Sequence, residues 1–125
     1  MIGNSYLQSL FSYPDKDTSL NQMLELLKTK DREFIESLKT PIDVKRCSEE
    51  ELTFLTIVSA VIDYYFQVNE IDVPSWLRMK ELTFQKPYFY SRRINDFEKV
   101  KLMYTNPSPF RARNVYFDLN SLGRV

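Results

Sequence analysis

The densest group of chemistry-bearing side chains is Phe110-Arg111-Ala112-Arg113-Asn114, which follows Pro107 and Pro109 closely. Guanidinium forks suit a phosphate or a carboxylate-rich partner surface, because each presents paired N–H donors to two oxygens. The same arginines could instead pair with acids of the N-terminal half and pin the tail down, since buried arginines need such partners. A second group sets Arg92-Arg93 beside Tyr88-Phe89-Tyr90. Basic side chains interleaved with aromatics can stack on and neutralise single-stranded nucleic acid, although most such aromatics are core. Trp76, two positions after Pro74, is either a core anchor or an interface hot spot. The candidate partner-binding residues are therefore Trp76, Arg92, Arg93, Arg111, Arg113 and Asn114.

Other chemistry is scarcer. The 125 residues include no histidine, one cysteine and two glycines. Without imidazole the commonest general base, the imidazole-dependent triads and the commonest zinc ligand are all missing. Gly3 and Gly123 lie near the chain ends and cannot write a phosphate loop or a dinucleotide fingerprint. One cysteine forms no intramolecular disulfide. Cys47 follows Lys45-Arg46 at a helix start, where cations and the helix dipole could lower its pKa, but it has no histidine base. Glu49-Glu50-Glu51 could contribute to a carboxylate metal site, yet complementarity to a helix dipole already explains all three. The composition points away from an enzyme, with no catalytic, metal or cofactor residue to name. An enzyme built on Asp or Glu with Lys or Tyr would need buried carboxylates of convergent geometry.

The elements that must hold these groups are mostly helical. Leu20, Met23, Leu24 and Leu27 form one stripe of a helix spanning about 18–30. A short helix over 31–38 carries Phe34, Ile35 and Leu38, with Pro41 beyond it. Ser48 with Glu51 writes a capping box, and from Leu52 to Val68 the apolar arc is wide enough for burial on most of the circumference. That helix is expected at the centre. Pro74 opens a short helix at Trp76, another helix covers 95–104, and Asn106-Pro107-Ser108-Pro109 is expected to forbid further helix. Residues 114–118 read as one extended strand or a packed tail.

The fold class expected is mainly α: a single-domain helical bundle with an aromatic, partly irregular C-terminal portion. Residues 1–16 are expected to be an N-terminal arm, 17–70 the helical core, and 71–125 an aromatic, basic segment. Residues 1–70 carry 7 Lys and Arg against 12 Asp and Glu, a net −5, whereas 71–125 carry 10 against 5, a net +5. The halves can neutralise each other within one fold, or leave a basic face for a partner. The apolar run 52–68 is interrupted by Asp63 and falls short of the roughly 20 residues a bilayer requires. With no signal-like N-terminus, the expected location is the cytoplasm.

Beyond the helix containing Phe54–Val61, the order is Val73-Pro74-Ser75-Trp76, Lys86-Pro87-Tyr88-Phe89, Phe110-Arg111-Ala112-Arg113-Asn114-Val115-Tyr116-Phe117-Asp118 and Leu122-Gly123-Arg124-Val125. In this order residues 52–125 resemble a group of small uncharacterised bacterial proteins. Their C-terminal segment reads Pro-x-Trp, then Pro-aromatic-Phe, then a Phe- and Arg-rich stretch with Asn-Val. Some members of that group carry an additional helix-turn-helix, and several look like antitoxin-type or regulatory components beside a toxin-like partner. The resemblance implies a non-enzymatic interaction module whose partner is another protein, a toxin-like operon neighbour being the example. The basic C-terminal half leaves a nucleic-acid-binding regulator as the alternative.

Overall fold

Ser48 opens the helix around which everything else is arranged. In the computed structural model, which describes residues 2–90 and 94–118, its Oγ accepts from the Glu51 amide at 3.1 Å. The Glu51 carboxylate in turn accepts from the Ser48 amide at 2.8 Å, completing the reciprocal cap. The helix that follows, α4 (Glu49–Val68), is buried at every position from Leu55 to Asp63. More than two full turns of continuous burial mean that neighbours cover it on all sides. It is the central helix that the sequence predicts.

Five other α-helices are described: α1 (Ser5–Phe11), α2 (Lys16–Lys28), α3 (Arg32–Ser37), α5 (Asp96–Thr105) and α6 (Ser108–Arg113). Two 3-10 turns, Val44–Arg46 and Ser75–Arg78, flank α4, and a parallel pair of two-residue strands, β1 (Tyr88–Phe89) and β2 (Val115–Tyr116), completes the set. The chain is mainly helical. α2, α6, β2 and the Ser75–Arg78 turn all contact α4, and α1 rests on α2. Phe34, Phe66, Phe110 and Phe117 are the largest fully buried side chains.

The expected N-terminal arm is instead part of the core. Ile2, Leu7 and Leu10 are buried, and Phe11 meets Phe54 of α4 edge to face at 5.4 Å. Asn4 explains the docking: its Oδ1 caps α1 by accepting from the Leu7 amide, while its Nδ2 donates to the Ser37 backbone carbonyl and to Ser37 Oγ.

The proline-rich stretch is a second correction. A helix, α6, starts directly within it, with Pro107 at the N-cap and Pro109 in the first turn. The first-turn N–H groups of a helix have no internal acceptor, so proline there forfeits nothing. Proline stops a helix arriving from its N-terminal side and starts one leaving on the other. The 114–118 stretch resolves to β2, its Val115 in register with Tyr88 and its Tyr116 with Phe89.

Candidate functional site

Arg113 stands on the last turn of α6 with its side chain only 4% exposed. Its Nη2 donates to Asp63 Oδ2 at 2.8 Å and to the Leu77 carbonyl at 2.7 Å, while Nη1 donates to the Pro109 carbonyl at 2.8 Å. Arg113 is thus a brace that ties α6 to α4 and to the Ser75–Arg78 turn. Its assignment as a partner-binding residue is corrected on burial alone. The acid it pairs with lies in the N-terminal half, as the bracing alternative requires.

Asp63 serves two arginines. Arg78 grips it with both Nε and Nη2, each at 3.0 Å, and Gln67 Nε2 donates to Oδ1 at 2.8 Å. Burial works to raise the Asp63 pKa, but the hydrogen bonds from Arg78, Gln67 and Arg113 outweigh it and leave the carboxyl below its ordinary value. Burial pulls the Arg113 pKa down, opposed by the same carboxylate. With four donors on its two oxygens, Asp63 is a fixed anion rather than a proton carrier.

Trp76 is also internal. It is buried, and its Nε1 donates to the Leu38 carbonyl at 2.6 Å, linking the turn after α4 to the end of α3. This is the core-anchor reading, and it removes Trp76 from the accessible surface. Asn114 is half-buried and takes the left-handed conformation (φ 59°) that ends α6, a position where asparagine is tolerated well. Its Nδ2 donates to the Phe84 carbonyl and its Oδ1 accepts from the Tyr116 hydroxyl, so it too is structural. Arg111 alone among the described candidates is exposed. Arg92 and Arg93 lie outside the described residues.

The aromatics beside them are engaged with one another. Phe84 stacks on Tyr88 at 4.9 Å, Phe89 on Tyr116 at 5.3 Å and Tyr90 on Phe117 at 4.7 Å. Burial, reinforced by a hydrogen bond to Asp17 at 2.6 Å, pushes the Tyr90 hydroxyl pKa far up. Cys47 also departs from the activated-thiol pattern: burial and the nearby Glu51 carboxylate push its pKa up. No group of three or more metal-ligating side chains occurs among the described residues.

The surface that the sequence reading did not single out is α5. Phe97 is 78% exposed, Val100 52% and Tyr104 77%. At spacings of three and four these three share one face of the helix, while Leu102, half-buried, points to the opposite side. α5 buries no residue completely. The signal was present in the sequence: two apolar sets on opposite faces of one ten-residue helix cannot both meet the same core. Lys99 lies over the Phe89 ring at 5.6 Å, a cation–π contact from α5 back to β1.

Compared with known proteins, the chain matches no family model, no curated protein and no solved structure. Among the described residues, no helix is long and apolar enough to cross a membrane.

Proposed function

We propose that this chain is a non-enzymatic protein-interaction module of the bacterial cytoplasm, an antitoxin-like or regulatory partner of a neighbouring gene product. The observation that carries the reading is the Phe97-Val100-Tyr104 stripe on α5. Single exposed apolar residues are ordinary, but three in helical register, two of them large aromatics, form the anchor pattern of a helix laid into a partner's groove. Tyrosine and phenylalanine bring large rigid area to an interface, and such anchors carry most of its energy. The resemblance of residues 52–125 to a group of small uncharacterised bacterial proteins, several of which look antitoxin-type or regulatory, supports the antitoxin-like form of the reading.

Charge favours a partner with an apolar groove and an acidic rim. Residues 71–125 carry a net +5, with Lys99 and Lys101 on α5 and Arg111 exposed on α6. Asp96 and Glu98 break up the basic character of α5, so the helix is not a continuous phosphate-tracking strip. A protein groove suits it better than a nucleic acid backbone.

The test is co-purification and calorimetry with the product of the adjacent gene, comparing the wild type with Phe97→Ser/Tyr104→Ser. The expected result is a loss of affinity of at least a hundredfold with an unchanged melting temperature. Undiminished binding by the double variant rejects α5 as the surface. A gel shift that survives moderate salt, with no protein partner retained, transfers the function to the nucleic-acid regulator.

A further inference from the structure

A cavity of about 370 Å³ opens beside the Asp63 carboxylate, walled by α4, α6 and the Ser75–Arg78 turn. Its volume falls at the lower end of the range for small-molecule sites. Both arginines that hold Asp63 line it. Together the three groups carry one more positive than negative charge.

Arg78 is the outward member, with its side chain 51% exposed. Asp63 takes the Nε and Nη2 edge of its guanidinium. Of its five N–H groups three remain without an acceptor among the described residues, two of them on the Nη1 and Nη2 end. That end is a second fork of the geometry a carboxylate occupies bidentately. The first fork fixes the second: Asp63 is itself clamped by Gln67 and Arg113, so the guanidinium plane is set before any ligand arrives.

A second observation is independent of the first. Arg113 is almost fully buried, yet its Nε has no acceptor among the described residues. A buried cationic donor left unsatisfied is costly, and it lies on one of the two arginines that line the cavity. Met79, Pro109 and Ala112 add an apolar wall to the same space.

We propose that this cavity binds a small organic monocarboxylate, its carboxylate on the outer fork of Arg78 and its apolar portion against Met79, Pro109 and Ala112. A single negative charge balances the excess of the cluster, and a planar carboxylate fits a fork better than a tetrahedral dianion. The proposal is independent of the α5 surface and survives if that reading fails.

The probe is sodium benzoate, titrated into the ¹⁵N-labelled full chain at constant ionic strength, with benzamide, sodium phosphate and sodium chloride in parallel. Benzoate is expected to give saturating shifts at the Arg78 Nε–H and at the amides of Met79 and Ala112. Arg78→Gln should weaken binding at least tenfold. Ala112→Leu, which narrows the cavity and leaves both arginines in place, should weaken it at least fivefold, and it decides the matter if Arg78→Gln does not fold. Absence of saturation overturns the proposal. So do equal shifts with benzamide or chloride, tighter binding of phosphate, and indifference to Ala112→Leu.

Discussion

Asn106 treats Phe117 as a neighbouring strand would. Its Nδ2 donates to the Phe117 carbonyl at 3.0 Å and its Oδ1 accepts from the Phe117 amide at 3.0 Å. One buried side-chain amide thereby satisfies both backbone groups of a fully buried residue eleven positions on. Asn106→Leu would strand both of those groups, and a loss of about 2–4 kcal/mol is expected in urea denaturation. Asn106→Asp should cost a similar amount at neutral pH, because an acceptor would then face the Phe117 carbonyl. A loss below about 1 kcal/mol for both variants would show that the pair contributes little.

Arg113 and Arg111, two residues apart, are expected to behave oppositely. Arg113→Ala strips the inner partner from a buried carboxylate, and breaking such a pair typically costs about 3–5 kcal/mol. Arg111→Ala, on the exposed side of α6, should stay within about 0.5 kcal/mol of wild type. Thermal melts of wild type and these two variants decide this.

The pH dependence has a definite sign. Asp63 is held below its ordinary pKa, so its folded form releases the proton more readily than its unfolded form. Its contribution to stability is complete above the unfolded value, near about 4, and is lost as pH falls through the folded value. The stability difference between wild type and Asp63→Asn should therefore be flat from neutrality to about pH 5 and shrink below about pH 4. A difference that widened on acidification would contradict the pairing.

Ser48→Ala should cost about 1 kcal/mol, since it leaves the Glu51 amide without its cap. Ser48→Gly should recover part of that loss, because glycine is a tolerable N-cap. Denaturant midpoints of the two variants give the comparison.

Local signals were the legible ones. The Ser48–Glu51 box and the wide apolar arc behind it define α4 from sequence alone, because capping and periodicity act within a few residues. The fate of Arg113 was not legible, since pairing with Asp63 spans fifty positions and depends on how α6 packs on α4. Pro107 and Pro109 misled because the same ring that terminates one helix is acceptable in the first turn of the next. The opening segment misled differently. Leu7 and Leu10 look like a short arm until Asn4 reaches Ser37 and gives that arm something to lie against. On α5, burial had to be seen, because Phe97 and Tyr104 are the residue types that would ordinarily fill a core.

The pairing of β1 with β2 has a consequence for the segment between them. Tyr88–Phe89 and Val115–Tyr116 lie side by side, and Asn106 fastens the chain again partway along. α5 sits inside that tied excursion and buries no residue completely, so its amides can open without disturbing the strands at its base. Hydrogen exchange on α5 is expected to proceed through local opening of low free energy, while α4 exchanges only through global unfolding. An occupant on the Phe97-Val100-Tyr104 face would then report itself as selective protection of one ten-residue helix, against a background in the rest of the protein that does not change.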